Sequence, residues 1–294
     1  MIRFKEALQS GKFLVTAGIC PPKGTHLEPF LTTLDGLAGK VDAVTFPDGR
    51  AARIHLSAVA AAFMAKNRGL EPILALSCRD RNRIALSSDL LGAHSLGLHN
   101  LLCVTGDYLT FGDAVEAKPV YDLDSVQLIQ MIRELEKGVD IGGNGLDGAP
   151  AFCVGCVANP QAVPLEPQLL KLEKKLRAGA EFILTLDLFD MDRSTAFFER
   201  LKGKGVKVLA GIRLVTERDM ALSDQGRLPG NPLPEEMKEG LKAIGERDKI
   251  IESARGQMVD LIKRLKGSGL CHGIHLHAEG YEDLLPQIIQ EAGI

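Results

Sequence analysis

Phe13-Leu14-Val15-Thr16-Ala17-Gly18-Ile19-Cys20-Pro21-Pro22 is the stretch whose reading separates two folds. The run Phe13–Ala17 is short, apolar and bounded by turn residues, as a buried strand should be. A doubly wound open sheet usually follows its first strand with G-x-G-x-x-G, the turn that receives a dinucleotide. Gly18-Ile19-Cys20-Pro21-Pro22 cannot make that turn, because paired prolines fix φ and remove two N–H donors. The alternative is a closed barrel. Outward from this point, seven more short apolar runs recur at Ala43–Phe46, Ile73–Leu76, Leu101–Val104, Phe152–Cys156, Phe182–Leu186, Val206–Ala210 and Gly273–Leu276, and each precedes a segment of helical period. Alternation of this kind marks βα units on a parallel sheet. Eight such units need about 250 residues, so the 294 residues fit a single-domain (β/α)8 TIM barrel over residues 1–294. In the first helix, Thr25 and Glu28 read as a T-x-x-E capping box, with Leu27, Phe30, Leu31, Leu34 and Leu37 forming the stripe that faces the barrel. Long loops at Tyr108–Tyr121 and Ser223–Pro234 follow the fourth and seventh strands, at the rim where barrel enzymes place their chemistry.

The composition narrows the class. With 45% hydrophobic and 25% charged residues the chain is an ordinary globular one. A net charge of -3 leaves no footprint for nucleic acid or for an acidic membrane surface. Lys5 and Glu6 stand where a signal peptide needs its apolar core, and the longest apolar run, Leu56 to Ala65, is about half a membrane span. The expectation is a cytoplasmic protein with no membrane partner. Six scattered cysteines do not make a secreted disulfide framework, so reduced thiols are expected.

Several strand ends carry strings that occur together elsewhere. They are Val15–Gly24 after the first strand, Ser77-Cys78-Arg79-Asp80-Arg81-Asn82 after the third and Leu102-Cys103-Val104-Thr105-Gly106-Asp107 at the fourth. Lys118–Val126, Leu172–Ala180, Gly273-Ile274-His275-Leu276 and Ala292-Gly293 continue in the same order. In this ordered set the chain resembles the methylenetetrahydrofolate reductases, especially the short bacterial and acetogen-type members, over nearly its whole length.

The resemblance implies a flavoprotein that holds FAD at the C-terminal face of the barrel and reduces methylenetetrahydrofolate to 5-methyltetrahydrofolate. It places Thr45, Thr105, Gly106, Asp107, Val157, Ala158, Asn159 and Lys175 at the flavin, with Ser77 and Arg79 in the same set and Arg79 the candidate phosphate contact. Those residue types suit the task. Gly106 lets backbone approach a planar ring, and Lys175 can neutralise a pyrophosphate as a point charge. Asp107 is the expected catalytic carboxylate, tuning the flavin or pterin, with the capping of a turn by a loop-start residue as the lesser alternative. Asp107, Leu186 and Arg218 form the expected folate contacts. Short members of the family can take electrons from a protein partner, and a homo-oligomer is compatible with the sequence.

The chain also departs from the pattern. The family's general acid is a Glu three residues before the Pro-Pro pair, and that slot is Gly18. The expectation is an empty volume at Gly18, with Asp187 or Glu217 the candidates for a relocated acid and Gly18→Glu expected to restore rate if neither serves. Leu186 stands where the family usually presents a Gln to the pterin, Ala75 where some members have a His, Thr105 where an Arg precedes the Gly-Asp pair, and Arg218 near a Phe that stacks on folate. These departures keep a second reading open, a folate-binding or partner-dependent relative without the reductase step.

Cys20, Cys78, Cys103 and Cys156 stand near strand ends and could cluster at one rim, but burial in the core is the default for free cysteine. Cys153-x-x-Cys156 lies in a strand, where the two side chains point to opposite faces and cannot chelate. His275 and His277 share a face of the eighth strand, with no third ligand fixed by sequence, so no metal site is assigned. The basic run Arg79–Arg83 reads as a solvated helix start.

Overall fold

The computed structural model describes residues 3–294 apart from Val115. Eight parallel strands, β1 (Leu14–Gly18), β2 (Ala43–Phe46), β3 (Pro72–Ser77), β4 (Asn100–Val104), β5 (Cys153–Ala158), β6 (Phe182–Asp187), β7 (Lys207–Arg213) and β8 (Gly273–His277), pair in sequence order and close into a barrel. The seam joins β1 to β8, with Thr16 opposite His275 and Gly18 opposite His277. This is the expected (β/α)8 architecture. The helices are α1 (Arg3–Gln9), α2 (Glu28–Leu37), α3 (Ala58–Lys66), α4 (Arg83–Ser95), α5 (Ser125–Leu135), α6 (Glu166–Arg177), α7 (Met191–Leu201), α8 (Glu217–Asp224), α9 (Glu235–Ile244), α10 (Arg247–Ser268) and α11 (Leu285–Ala292).

Period-two alternation divides the apolar residues into two layers. Val15, Ala17, Val44, Phe46, Leu74 and Leu76 point outward and meet the helices in the larger cluster. Leu14, Ala43, Ile73, Leu102, Phe182 and Leu209 point inward and fill the barrel. The lower mouth is closed by α1, whose Phe4 and Leu8 join that inner layer, Phe4 packing edge-on against Phe182 at 5.3 Å. Above Ala75 and Leu184 the inward positions turn polar, and there the interior opens into a cleft.

Two local readings need correction. Helix α2 begins at Glu28 with Leu27 at its N-cap and no side-chain cap, so Thr25 and Glu28 form no capping box. Pro29 in the first helical turn supplies the start instead, since its missing N–H is one the helix leaves unpaired anyway. The basic run is not a uniformly solvated face. Arg79 is buried, Arg81 pairs with Asp48 and Asp89, and the helix starts only at Arg83 behind the Asn82 cap.

A cleft at the carboxyl end of the barrel

The strand ends surround a cleft of about 540 Å³, a size that suits a cofactor or substrate. Its floor is apolar, made by Ala75, Leu102 and Leu184. Three polar walls rise from it. The first joins the ends of β2 and β4 through Thr45, Asp48, Thr105, Gly106 and Asp107. Gly106 has φ +102°, and a Cβ there would collide with the Ser77 hydroxyl and with Arg79, so the turn after β4 requires glycine. Asp107 lines the cleft while its Oδ2 accepts from the Ala51 N–H at 2.8 Å, tying down a loop in which Ala51 holds a left-handed φ of +53°.

The second wall is α6. Gln168, Lys171 and Lys175 face the cleft at helical spacing. Lys175 is buried, its Nζ donates to the Val157 carbonyl at 2.6 Å, and among the described residues no carboxylate pairs with it. Burial lowers its pKa. The hydroxyl of Thr45, across the cleft, is buried with no hydrogen-bond partner among the described residues. A buried hydroxyl without a hydrogen-bond partner and a buried ammonium without a counter-charge are both costly. A ligand with an anionic group and a polar planar part would satisfy them together.

The third wall is the seam. A register shift in β6 between Leu184 and Asp187 turns the Asp187 carboxylate inward as well as Leu186, as a bulge does when it re-aims a side chain. Asp187 Oδ2 accepts from Arg213 Nε at 2.7 Å, and Oδ1 meets His277 Nδ1 at 2.6 Å. Arg213 also donates to Asp219 at 3.0 Å, and Asp219 caps α8 through Thr216. The Arg213 guanidinium and the His277 imidazole hold the Asp187 carboxyl well below its ordinary range, against the effect of burial. His275, one layer down, bonds through Nδ1 to Thr16 Oγ1 at 2.9 Å, and burial keeps it neutral.

This wall overturns the expected vacancy. An ideal Cβ on Gly18 would lie 2.6 Å from His277 Nε2 and 2.9 Å from His275 Nε2, so two imidazole rings fill the volume. Asp187 is no relocated acid either, because its neighbours keep it ionised. Glu217 is exposed at the start of α8 and does not line the cleft.

Of the residues singled out from sequence, Thr45, Thr105, Gly106, Asp107, Val157, Ala158, Asn159, Lys175 and Leu186 meet in this one cleft. Ser77 and Arg79 lie behind its first wall. The Arg79 guanidinium engages Asp80, the Gly49 carbonyl and the Asp107 carbonyl, while Ser77 accepts from the Arg79 N–H. Arg218 lines a smaller neighbouring hollow with Cys20, Arg53 and Glu279, and pairs with Glu279 at 3.1 Å. The thiols take the core positions that are the default for free cysteine, without clustering at the rim: Cys78, Cys103 and Cys156 are buried between strands and helices, and Cys153 faces the barrel interior. The opposite facing of Cys153 and Cys156 is as the strand geometry requires. Sequence reading missed Lys171, which stands four residues before Lys175 and so on the same helix face, and it missed the Asp187–His277–Arg213 network, whose members lie on three strands.

Among the described residues no helix is long and apolar enough to cross a membrane. Comparison with known proteins supplies the lineage. The family model described as methylenetetrahydrofolate reductase matches residues 3–293. A probable methylenetetrahydrofolate reductase (NADPH) of Caenorhabditis elegans is 21% identical over 249 residues, 82% of this chain and 35% of that protein. Methylenetetrahydrofolate reductase 2 of Saccharomyces cerevisiae is 24% identical over 267 residues, 85% of this chain and 41% of that protein. The chain thus spans well under half the length of these relatives. Among solved structures, a Clostridium thermocellum protein that binds two copies of 5-methyl-5,6,7,8-tetrahydrofolic acid shares the fold with a TM-score of 0.66 at 12% identity, covering 99% of both chains. Since the family match runs from one end of the barrel to the other, this chain belongs to the methylenetetrahydrofolate reductase family.

Proposed function

We propose that the protein is a flavin-dependent reductase of one-carbon folate chemistry, converting 5,10-methylenetetrahydrofolate to 5-methyltetrahydrofolate with FAD as cofactor. The observation that carries this reading is the opposition, within one cleft, of the unpaired Thr45 hydroxyl and the Lys175 ammonium without a carboxylate. Together they fit a flavin dinucleotide. Lys175 and Lys171 would face its pyrophosphate, and Thr45, Gly106 and the Val157–Asn159 strand end would face its ring system. Bound FAD would supply the hydride. The chain's own part is to orient the two partners and to keep water out over the apolar floor of Ala75, Leu102 and Leu184. Asp107 would contact the pterin and tune the flavin, a reading supported by its place on the cleft lining and by the Ala51 N–H that holds its carboxylate. Leu186 would complete the proposed folate contacts inside the cleft, with Arg218 reaching the folate from the neighbouring hollow.

The test is a spectrum of the purified protein reconstituted with FAD, before and after 5-methyltetrahydrofolate. Flavin absorbance that bleaches on addition supports cofactor and substrate together. Failure to bind FAD at tens of micromolar sinks the reading. A second reading, folate binding without the reductase step, is favoured by Gly18 at the slot where the resemblance puts an acid. Oxidation of 5-methyltetrahydrofolate by an artificial acceptor separates the two, because it bypasses the natural donor.

A further inference from the structure

The seam wall presents two imidazole Nε2 atoms beside Gly18, those of His275 and His277, and the hydrogen bond behind each ring defines what it can do. Thr16 Oγ1 donates to the Ile274 carbonyl at 2.9 Å, so it must accept from His275 Nδ1–H. That assigns the His275 tautomer and leaves its Nε2 as an acceptor. Asp187 is an ionised acceptor, so His277 Nδ1 carries the hydrogen it shares with that carboxylate. Both Nε2 atoms face the space beside Gly18, but only the His277 ring is backed by a carboxylate, through its Nδ1. Arg213 holds Asp187 from the far side at 2.7 Å, which fixes the carboxylate and through it the ring. A carboxylate that orients one imidazole nitrogen while the other faces a cleft is the arrangement of a general acid–base histidine.

We propose that His277 is the proton-transfer residue at the folate, with Asp187 and Arg213 as positioning residues, in the space that Gly18 opens beside it. The proposal rests on the folate reductase reading given above. In the reductive direction, protonated Nε2 gives its proton to the leaving nitrogen of the five-membered ring as the bond from that nitrogen to the methylene carbon breaks. The electron pair of that bond goes to the nitrogen, leaving an iminium at the methylene carbon that then takes the hydride. The proton step itself is redox-neutral. In the oxidative direction neutral Nε2 takes the same proton back as the ring closes.

Burial disfavours the protonated His277 ring; of the three charged groups facing it, Asp187 of β6 favours protonation, whereas Arg50 after β2 and Arg213 of β7 disfavour it. Neutral His275 stands edge-on at 4.5 Å and carries no charge of its own. The balance lies on the neutral side, below the ordinary histidine value. Reduction should therefore speed up as pH falls toward the His277 pKa, and oxidation should slow over the same interval.

The experiment uses the FAD-loaded protein with 15N-labelled imidazoles. In the photoreduced form, on which 5-methyltetrahydrofolate cannot react, folate should shift the His277 Nε2 resonance while Nδ1 stays protonated. Separately, single-turnover reoxidation by methylenetetrahydrofolate is compared with reoxidation by menadione across pH, in wild type, His277→Gln and Asp187→Asn. The expected result is a loss of about 10²–10⁴-fold in the folate reaction for His277→Gln, a flattened pH profile and a smaller loss for Asp187→Asn, each far larger than any change in the menadione reaction of the same variant. An unmoved His277 resonance with folate bound, or a His277→Gln folate rate within threefold of wild type, overturns the proposal alone. Wild type that binds neither FAD nor folate sinks the functional reading and the proposal with it.

Discussion

Gly18 and His277 are partners across the β1–β8 seam, and the ring of one stands over the bare Cα of the other. The absence of a side chain at Gly18 is therefore a packing requirement of the imidazoles. Gly18→Ala should cost about 1–3 kcal/mol, as overpacking does, and Gly18→Glu should cost more while slowing any folate reaction. Chemical denaturation and single-turnover rates on both variants check this; a faster Gly18→Glu enzyme would show that the rings yield without penalty.

Lys175 offers the opposite balance. A buried ammonium that faces only the Val157 carbonyl destabilises the ligand-free protein. Lys175→Met should leave the stability of the apoprotein equal or raised while weakening FAD binding by tenfold or more. Urea melts of the apoprotein and flavin fluorescence titration measure the two effects. Because burial lowers the Lys175 pKa, the unfolded chain binds this proton more tightly than the folded one. Its contribution to stability thus rises with pH between the folded value and the unfolded one, and Lys175→Met should remove that rise.

Asp187 should dominate one part of the acid limb. Its pKa is held well below the ordinary carboxylate value in the folded state. The stabilisation it gives is present above the unfolded carboxylate pKa and is lost as pH falls through the folded one. Asp187→Asn should flatten the fall in stability below about pH 4. Arg213→Met should be the harsher change at neutral pH, about 3–5 kcal/mol, because it leaves Asp187 and Asp219 buried without their cation. Guanidinium melts from pH 3 to 7 on the three proteins test the order.

The thiols should be silent in the native state. Burial pushes Cys78 up to about 12 and Cys156 up to about 11, and holds Cys103 well above the ordinary thiol value. Cys20, though partly exposed, is also raised to about 12 by its surroundings. A thiol-specific disulfide reagent at pH 8 should titrate few of the six cysteines until denaturant is added, and rapid native labelling of Cys103 would contradict the burial described.

The strands were legible because each is a short apolar run that needs no partner to be recognised, and Ala43–Phe46 is found with the bounds expected. Helix α1 was not legible as an element of the barrel. Its two buried residues, Phe4 and Leu8, acquire their role only from Phe182 and the inner layer, far along the chain. At Thr25 the capping pattern was present, but Pro29 moved the helix start past it. In the cleft, the residues on strand ends could be listed one by one. What joins Asp187 to His277, 90 residues later, is a register shift in β6 that no local pattern announces. Arg79 shows the converse: a phosphate-type residue in a rim string whose guanidinium is engaged by Asp80 and two backbone carbonyls.

The seam has a consequence for how the molecule comes into being. Thr16 and His275, bonded side by side, are 259 residues apart in sequence. Contacts of such span form late, since the intervening chain must first be gathered at an entropic cost. Until they form, β1 and β8 each present an open edge to other chains. Gly18 lies on one lip of that closure and His277 on the other, so the chemistry assigned to the cleft does not exist in a nearly folded intermediate. A ligand that needs both lips would bind only to molecules whose ring is shut, and its appearance in a refolding trace would time the last topological event of folding.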